Sequence, residues 1–148
     1  MRSLEEYVGM LAGRSLPGPA GDPVSRPYFE AAVGDRLRLM GCMDCALTFH
    51  YPREICPRCW GSRIRWQDAS GDAAVVTSTE VWKPGHPAWR ELVPYRIAIV
   101  RLAEGPTMLT QLLCEPGVVP RPNDPCHVTF VTVGNTRLPF FQINGREL

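Results

Sequence analysis

Four of the six cysteines in this 148-residue chain fall into two C-x-x-C pairs, Cys42-Met43-Asp44-Cys45 and Cys56-Pro57-Arg58-Cys59. Two such pairs are the ligand set of a tetrahedral zinc site, each pair turning its backbone around the metal and binding it as thiolates. The ten residues between the pairs suffice for a short hairpin and are too few for a helix-bearing finger. The pattern predicts a zinc ribbon with Cys42, Cys45, Cys56 and Cys59 as ligands. The alternatives are two disulfides or a redox dithiol. A disulfide scaffold calls for an export signal, whereas the opening Met1-Arg2-Ser3-Leu4-Glu5-Glu6 is acidic and has no continuous apolar run. A thioredoxin-like C-x-x-C stands alone at the start of a helix. Four thiolates fill a tetrahedron and leave no position for water or substrate, so the expected metal role is structural. Binding at such a site is worth roughly 10 kcal/mol or more and counts as folding energy.

The rest of the composition narrows the classes. A hydrophobic fraction of 45% supports a core. A formal net charge of +1 gives no general pull toward nucleic acid or anionic membrane. No apolar run is long enough to span a bilayer. Reduced zinc cysteines without an export signal lead us to expect a cytoplasmic protein.

Ahead of the cysteines, residues 3–12 read as a short amphipathic helix. Ser3 and Glu6 fit a capping box, and Leu4, Tyr7, Val8 and Leu11 make one stripe. Gly13 suits its C-terminal cap. The stripe fits packing on its own domain and docking on a partner equally well. Residues 16–25 form a Pro/Gly-dense linker. A second helical piece is expected over residues 26–33, with Pro27 in its first turn and Gly34 at its end. Leu37 and Leu39 alternate with Arg36 and Arg38, a strand entering the ribbon. Six arginines stand against Asp44 and Glu54 between residues 36 and 65. A four-thiolate zinc carries about −2 of its own, which leaves an ordinary solvated surface.

Beyond Trp66 the pattern is all β. Strands are expected over residues 71–82, 95–102, 107–114, 126–133 and 137–143, the last holding Pro139 and so suited to an edge or to barrel closure. Five short strands without helical period suggest a Greek-key barrel of the OB type. The predicted fold is therefore mainly β, in three parts: short N-terminal helices (1–36), a rubredoxin-like zinc ribbon (37–66) and a five-stranded OB-fold barrel (67–148).

The order of these features resembles a known family. The run P-Y-F-E-A, G-D-R-L-R-L, C-M-D-C, Y-P-R-E-I-C-P-R-C, W-Q-D-A-S-G-D, with the later P-A-W-R-E-L-V-P-Y-R-I-A-I-V-R-L-A-E-G-P and R-L-P-F-F, is similar to acyl-CoA-associated zinc-ribbon/OB-fold proteins. The resemblance covers roughly residues 27–143. It departs at Ala46, where the family usually has glycine, so the first knuckle must turn without positive φ or bear strain. It departs again at Pro122-Asn123-Asp124-Pro125, where a glycine turn is usual. The resemblance implies a non-catalytic companion of a thiolase-superfamily enzyme, either a thiolase or a lipid-transfer-protein-like aldolase that cleaves steroid side-chain CoA thioesters. It implies a CoA thioester as ligand of the complex and a hetero-oligomer as its form.

No catalytic set stands out. G-x-S-x-G, H-E-x-x-H and G-x-x-x-x-G-K are absent from the sequence. Cys114 and His127 would make an activated thiolate if their strands were neighbours, but both sit in apolar strand patterns, where a free cysteine behaves as a small hydrophobe. His50 is a spare candidate ligand beside four sufficient cysteines. The loop over residues 82–95 is the richest surface. Lys83, His86 and Arg90 suit phosphate, while Trp82, Trp89 and Tyr95 suit adenine stacking or a protein partner. The plainer reading is a loop folded over the barrel. Single-stranded nucleic-acid binding is the alternative function, since ribbons and OB-folds both serve it.

Overall fold

The computed structural model describes residues 2–143. Helix α1 (Leu4–Ala12) starts on the expected capping box. The Ser3 hydroxyl accepts from the Glu6 backbone N–H at 3.2 Å, and Glu6 Oε2 accepts from the Ser3 N–H at 2.9 Å. Its stripe packs on its own domain. Leu11 is fully buried against Leu92, Val131, Val133 and Phe140, and the Tyr7 hydroxyl donates to Gln111 Oε1 at 2.6 Å. Helix α2 (Arg26–Val33) has Pro27 in its first turn. Neither terminal glycine takes the left-handed turn anticipated for it: φ is −88° at Gly13 and −96° at Gly34. After α2 that conformation moves one residue on, to Asp35 at φ 56°, whose carboxylate is held by the Arg137 guanidinium at 2.9 Å.

Strands β1 (Arg38–Cys42), β2 (Thr48–Phe49) and β3 (Ile64–Asp68) form an antiparallel sheet in the order β2-β1-β3. Gly41 at its centre lies under the Gln67 side chain, which would have to shift to admit a Cβ. Gln67 lies across it to donate from Nε2 to Thr48 Oγ1 at 2.8 Å, and a Cβ on Gly41 would sit 2.8 Å from Gln67 Oε1.

Strands β4 (Asp72–Val81), β5 (Tyr95–Leu102), β6 (Thr107–Leu113), β7 (Pro125–Val133) and β8 (Thr136–Ile143) close into a barrel in the order β4-β5-β6-β8-β7. All pairs are antiparallel except β6–β8, which is parallel and begins only at Leu112↔Phe141. Pro139 precedes that junction and pairs with Phe130 alone. Its missing N–H therefore costs no ladder bond, and the proline marks the barrel's closure. Strand β4 bulges between Val75 and Thr77. The loop before β7 packs on Val75 there: Asn123 donates to the Val75 carbonyl at 2.7 Å, and the Val75 N–H donates to the Asp124 carbonyl at 2.9 Å. Asn123, at φ 69°, supplies the turn for which the resemblance anticipates a glycine. Asparagine is the next best residue in that conformation.

The barrel interior holds Val75, Val100, Leu102, Met108, Leu112 and Phe141. Tyr28 from α2 and Leu37 and Leu39 from the ribbon side enter the same core, and Trp66 lines both it and the small ribbon core. Ribbon and barrel thus share a wall of side chains.

Candidate metal centre and the loop surface

The two knuckles are built alike. In the first, the Cys42 N–H donates to the Leu47 carbonyl at 2.9 Å and the Ala46 N–H to the Cys42 carbonyl at 3.0 Å. In the second, the Cys56 N–H donates to the Gly61 carbonyl at 2.9 Å and the Trp60 N–H to the Cys56 carbonyl at 3.0 Å. The residue after each second cysteine is left-handed, Ala46 at φ 60° and Trp60 at φ 64°. The first knuckle therefore bears the strain, and the second bears it too. Each costs about 1–2 kcal/mol relative to an ordinary conformation. Trp60 occupies in the second pair the place that Ala46 holds in the first.

Geometry agrees with a tetrahedral metal. The four sulfurs lie within 4.8 Å of one another, with Cys42 Sγ to Cys59 Sγ and Cys45 Sγ to Cys56 Sγ both at 3.6 Å. Zinc–sulfur bonds of about 2.3 Å in a tetrahedron set sulfurs about 3.8 Å apart, so the donor set fits zinc with small adjustment. The Arg58 backbone N–H points at Cys56 Sγ, 3.4 Å away, as a thiolate ligand requires. Gly61 leaves the space open: a Cβ there would run into the Asp44 carboxylate and lie 3.2 Å from Cys59 Sγ. Asp44 is in turn clamped by Arg63 Nε at 2.7 Å. His50 stands outside the cluster. It packs between Tyr28 (5.4 Å between ring centres) and Tyr51 (4.1 Å), and burial pushes its imidazole down to about 4, so it is neutral at neutral pH.

The remaining cysteines are not poised as nucleophiles. Burial raises both Cys114 and Cys126 to about 11. The supposed Cys114–His127 pairing across neighbouring strands does not form, because β8 lies between β6 and β7. His127 instead pairs through Nδ1 with Asp72 at 2.8 Å.

The loop over residues 82–95 divides in two. Trp89 and Tyr95 are half-buried, 5.4 Å apart, in the cluster with Leu92 and α1. Trp82, Lys83, His86 and Arg90 are exposed, and His86 Nδ1 accepts from the Ala88 N–H at 3.1 Å to cap the short 3₁₀ turn Pro87–Trp89. The six residues are therefore not gathered into one pocket wall. No helix among the described residues is long and apolar enough to cross a membrane.

A four-thiolate ribbon carried on a closed five-stranded barrel defines a class, the rubredoxin-like zinc-ribbon/OB-fold proteins. Residues 29–65 match the family described as "ChsH2, rubredoxin-like zinc ribbon domain" and residues 66–131 match "ChsH2, C-terminal OB-fold domain". The chain belongs to this ChsH2 (DUF35) family. It is 36% identical over 94 residues to a "DUF35 domain-containing scaffold protein" of Pyrococcus furiosus, spanning 62% of this chain and 68% of that protein. It is 33% identical over 104 residues to a "Probable enoyl-CoA hydratase alpha subunit" of Thermomonospora curvata, covering 70% of this chain and 31% of the relative, so it spans about a third of that relative's length. A solved chain described as "Ltp2-ChsH2(DUF35) aldolase" superposes with a TM-score of 0.73 at 28% identity, over 85% of this chain and 98% of that one. A DUF35-family protein of unknown function from Sulfolobus solfataricus shares the fold, with a TM-score of 0.56 at 15% identity over 97% and 100% of the two chains.

Proposed function

We propose that the chain is a non-catalytic subunit that binds and stabilises a thiolase-superfamily partner, a thiolase or a lipid-transfer-protein-like aldolase, and helps form its channel for acyl-CoA thioesters. Steroid side-chain CoA thioesters are one substrate class within this reading. The observation that carries it is the likeness along nearly the whole chain to the ChsH2 component of an aldolase that pairs it with Ltp2. The chain's own chemistry agrees: the four thiols form a closed ligand set, and the other two, half-buried Cys114 and buried Cys126, have raised pKa. The outer face of β5 and β6 also suits protein better than nucleic acid. It presents Ile99 and Leu109, paired across the strands and exposed, an apolar pair that a protein partner can bury and that offers a base no stacking ring.

The test is co-expression with the thiolase-superfamily subunit encoded nearest to it in its genome, followed by gel filtration and acyl-CoA assays. The expected result is a stable heteromer that turns over a CoA thioester while this chain alone does not. Turnover by the isolated chain would overturn the reading, as would failure to form the heteromer. So would steeply salt-dependent binding to single-stranded DNA without it.

A further inference from the structure

The second knuckle ends in a side chain that the fold itself does not use. Trp60 is 80% exposed, the most open of the large apolar residues described. It is also left-handed, at a place where glycine would be easier. An indole kept in water on an unfavourable backbone meets no need of the ribbon, whose core is Met40, Cys42, Phe49 and Cys56. Exposed Ile55 (48%) lines the same shallow groove as Trp60, together with Pro57 and the buried Cys56. Arg53 borders that groove and Arg58 lies in the same knuckle; both are exposed, and neither forms an ion pair among the described residues. Glu54 is the one carboxylate lining the groove.

We infer that the Trp60–Ile55 groove is the anchor by which the ribbon docks on its partner subunit, whose matching surface is an apolar socket with carboxylates at its rim. This rests on the accessory-subunit reading above and names the surface that reading requires. Trp and Arg are the residues that most often dominate protein interfaces, acting from a centre that excludes water. The two arginines without counter-ions supply the charge complementarity: they call for acidic groups on the occupant. A second copy of this chain would bring the same arginines against each other and is disfavoured.

The substitution Trp60→Gly separates docking from folding, because glycine suits φ 64° and removes only the indole. The probe is the co-expressed thiolase-superfamily subunit, purified and titrated against the full chain by biolayer interferometry. Trp60→Gly is expected to weaken the complex at least tenfold while zinc content and melting temperature stay level or rise. Arg53→Glu is expected to weaken it several-fold, more so at low salt. Trp82→Ala, outside this groove on the loop over residues 82–95, should change it less than threefold. If wild type binds and Trp60→Gly binds equally well, the groove is not the anchor, although the accessory role stands. If wild type does not bind, both fall together. Self-association of wild type that Trp60→Gly abolishes would overturn the proposal in favour of a contact between copies.

Discussion

The ribbon and the barrel solve the same problem by different means. The barrel buries Val75, Val100, Leu102 and Phe141 almost completely and closes its own edges, so apolar burial and an unbroken ladder hold it. The ribbon buries only Met40, Phe49 and two of its cysteines, and β2 is two residues long. So few apolar groups do not offset the entropy of ordering the knuckles. Metal binding must supply the difference. The two modules nonetheless share Leu37, Leu39, Tyr28 and Trp66, so the boundary of metal dependence should fall inside β1 rather than at a domain seam.

Cys56→Ser should break the comparison hardest. Cys56 is fully buried at the centre of the sulfur cluster, and its loss removes most of the roughly 10 kcal/mol that metal binding contributes. Hydrogen exchange should show the knuckles and β2 losing protection while β4–β8 keep theirs, with zinc absent by elemental analysis. Equal loss of protection throughout the barrel would show that the shared wall, not the closed sheet, governs its stability.

Much of this was legible beforehand because the signals were local. The cysteine spacing gave the ribbon. Alternation and β-branching placed β4 to β8 within a residue or two at each end, and the capping box placed α1. What escaped was set by tertiary context. Glycine is an incomplete guide to the positive-φ positions: Gly71, Gly105, Gly117 and Gly134 hold four of them, but Asp35, Ala46, Trp60 and Asn123 hold others, and Gly13 and Gly34 hold none. At Asn123 a hydrogen bond between segments holds the angle, its backbone N–H donating to the Val75 carbonyl, and no single-residue preference reports such a bond. The OB-type barrel is borne out, but the alternation of single strands does not carry their order. Periodicity finds β6, β7 and β8 but not that β8 inserts between the other two, which is what parts Cys114 from His127. Composition does not report how the aromatic loop divides: Trp89 is as conspicuous in the sequence as Trp82, yet of the two only Trp82 is fully open to solvent.

His50 sits at the junction of the two modules and sharpens the contrast by pH. Burial lowers its imidazole from an ordinary 6.5 to about 4. On acidification the unfolded chain takes up the proton first, so the contribution is whole above about pH 6.5 and lost progressively toward 4. The full effect is at most about 3 kcal/mol. Because the zinc thiolates also protonate in acid, the measurement is a difference between wild type and His50→Phe in urea titrations at matched zinc. His50→Phe should show the shallower fall in stability between pH 6.5 and 4.5. Parallel curves would mean that the junction opens enough to hydrate the ring.

The finest test substitutes glycine at the two best-matched left-handed positions, one in each module. Ala46→Gly removes a Cβ from φ 60°, a relief of about 1–2 kcal/mol, against about 0.5–1 kcal/mol for the freer unfolded chain. The ribbon should gain about 0.5 kcal/mol, read as slower exchange at the Cys42 and Ala46 amides. Asn123→Gly relieves less, since asparagine tolerates φ 69° through its short polar side chain, and the barrel should change little or weaken slightly. The pair thus measures whether strain is stored where the metal can sustain it. A gain at Asn123 larger than the gain at Ala46 would place the strain in the barrel and reverse the contrast between the two modules.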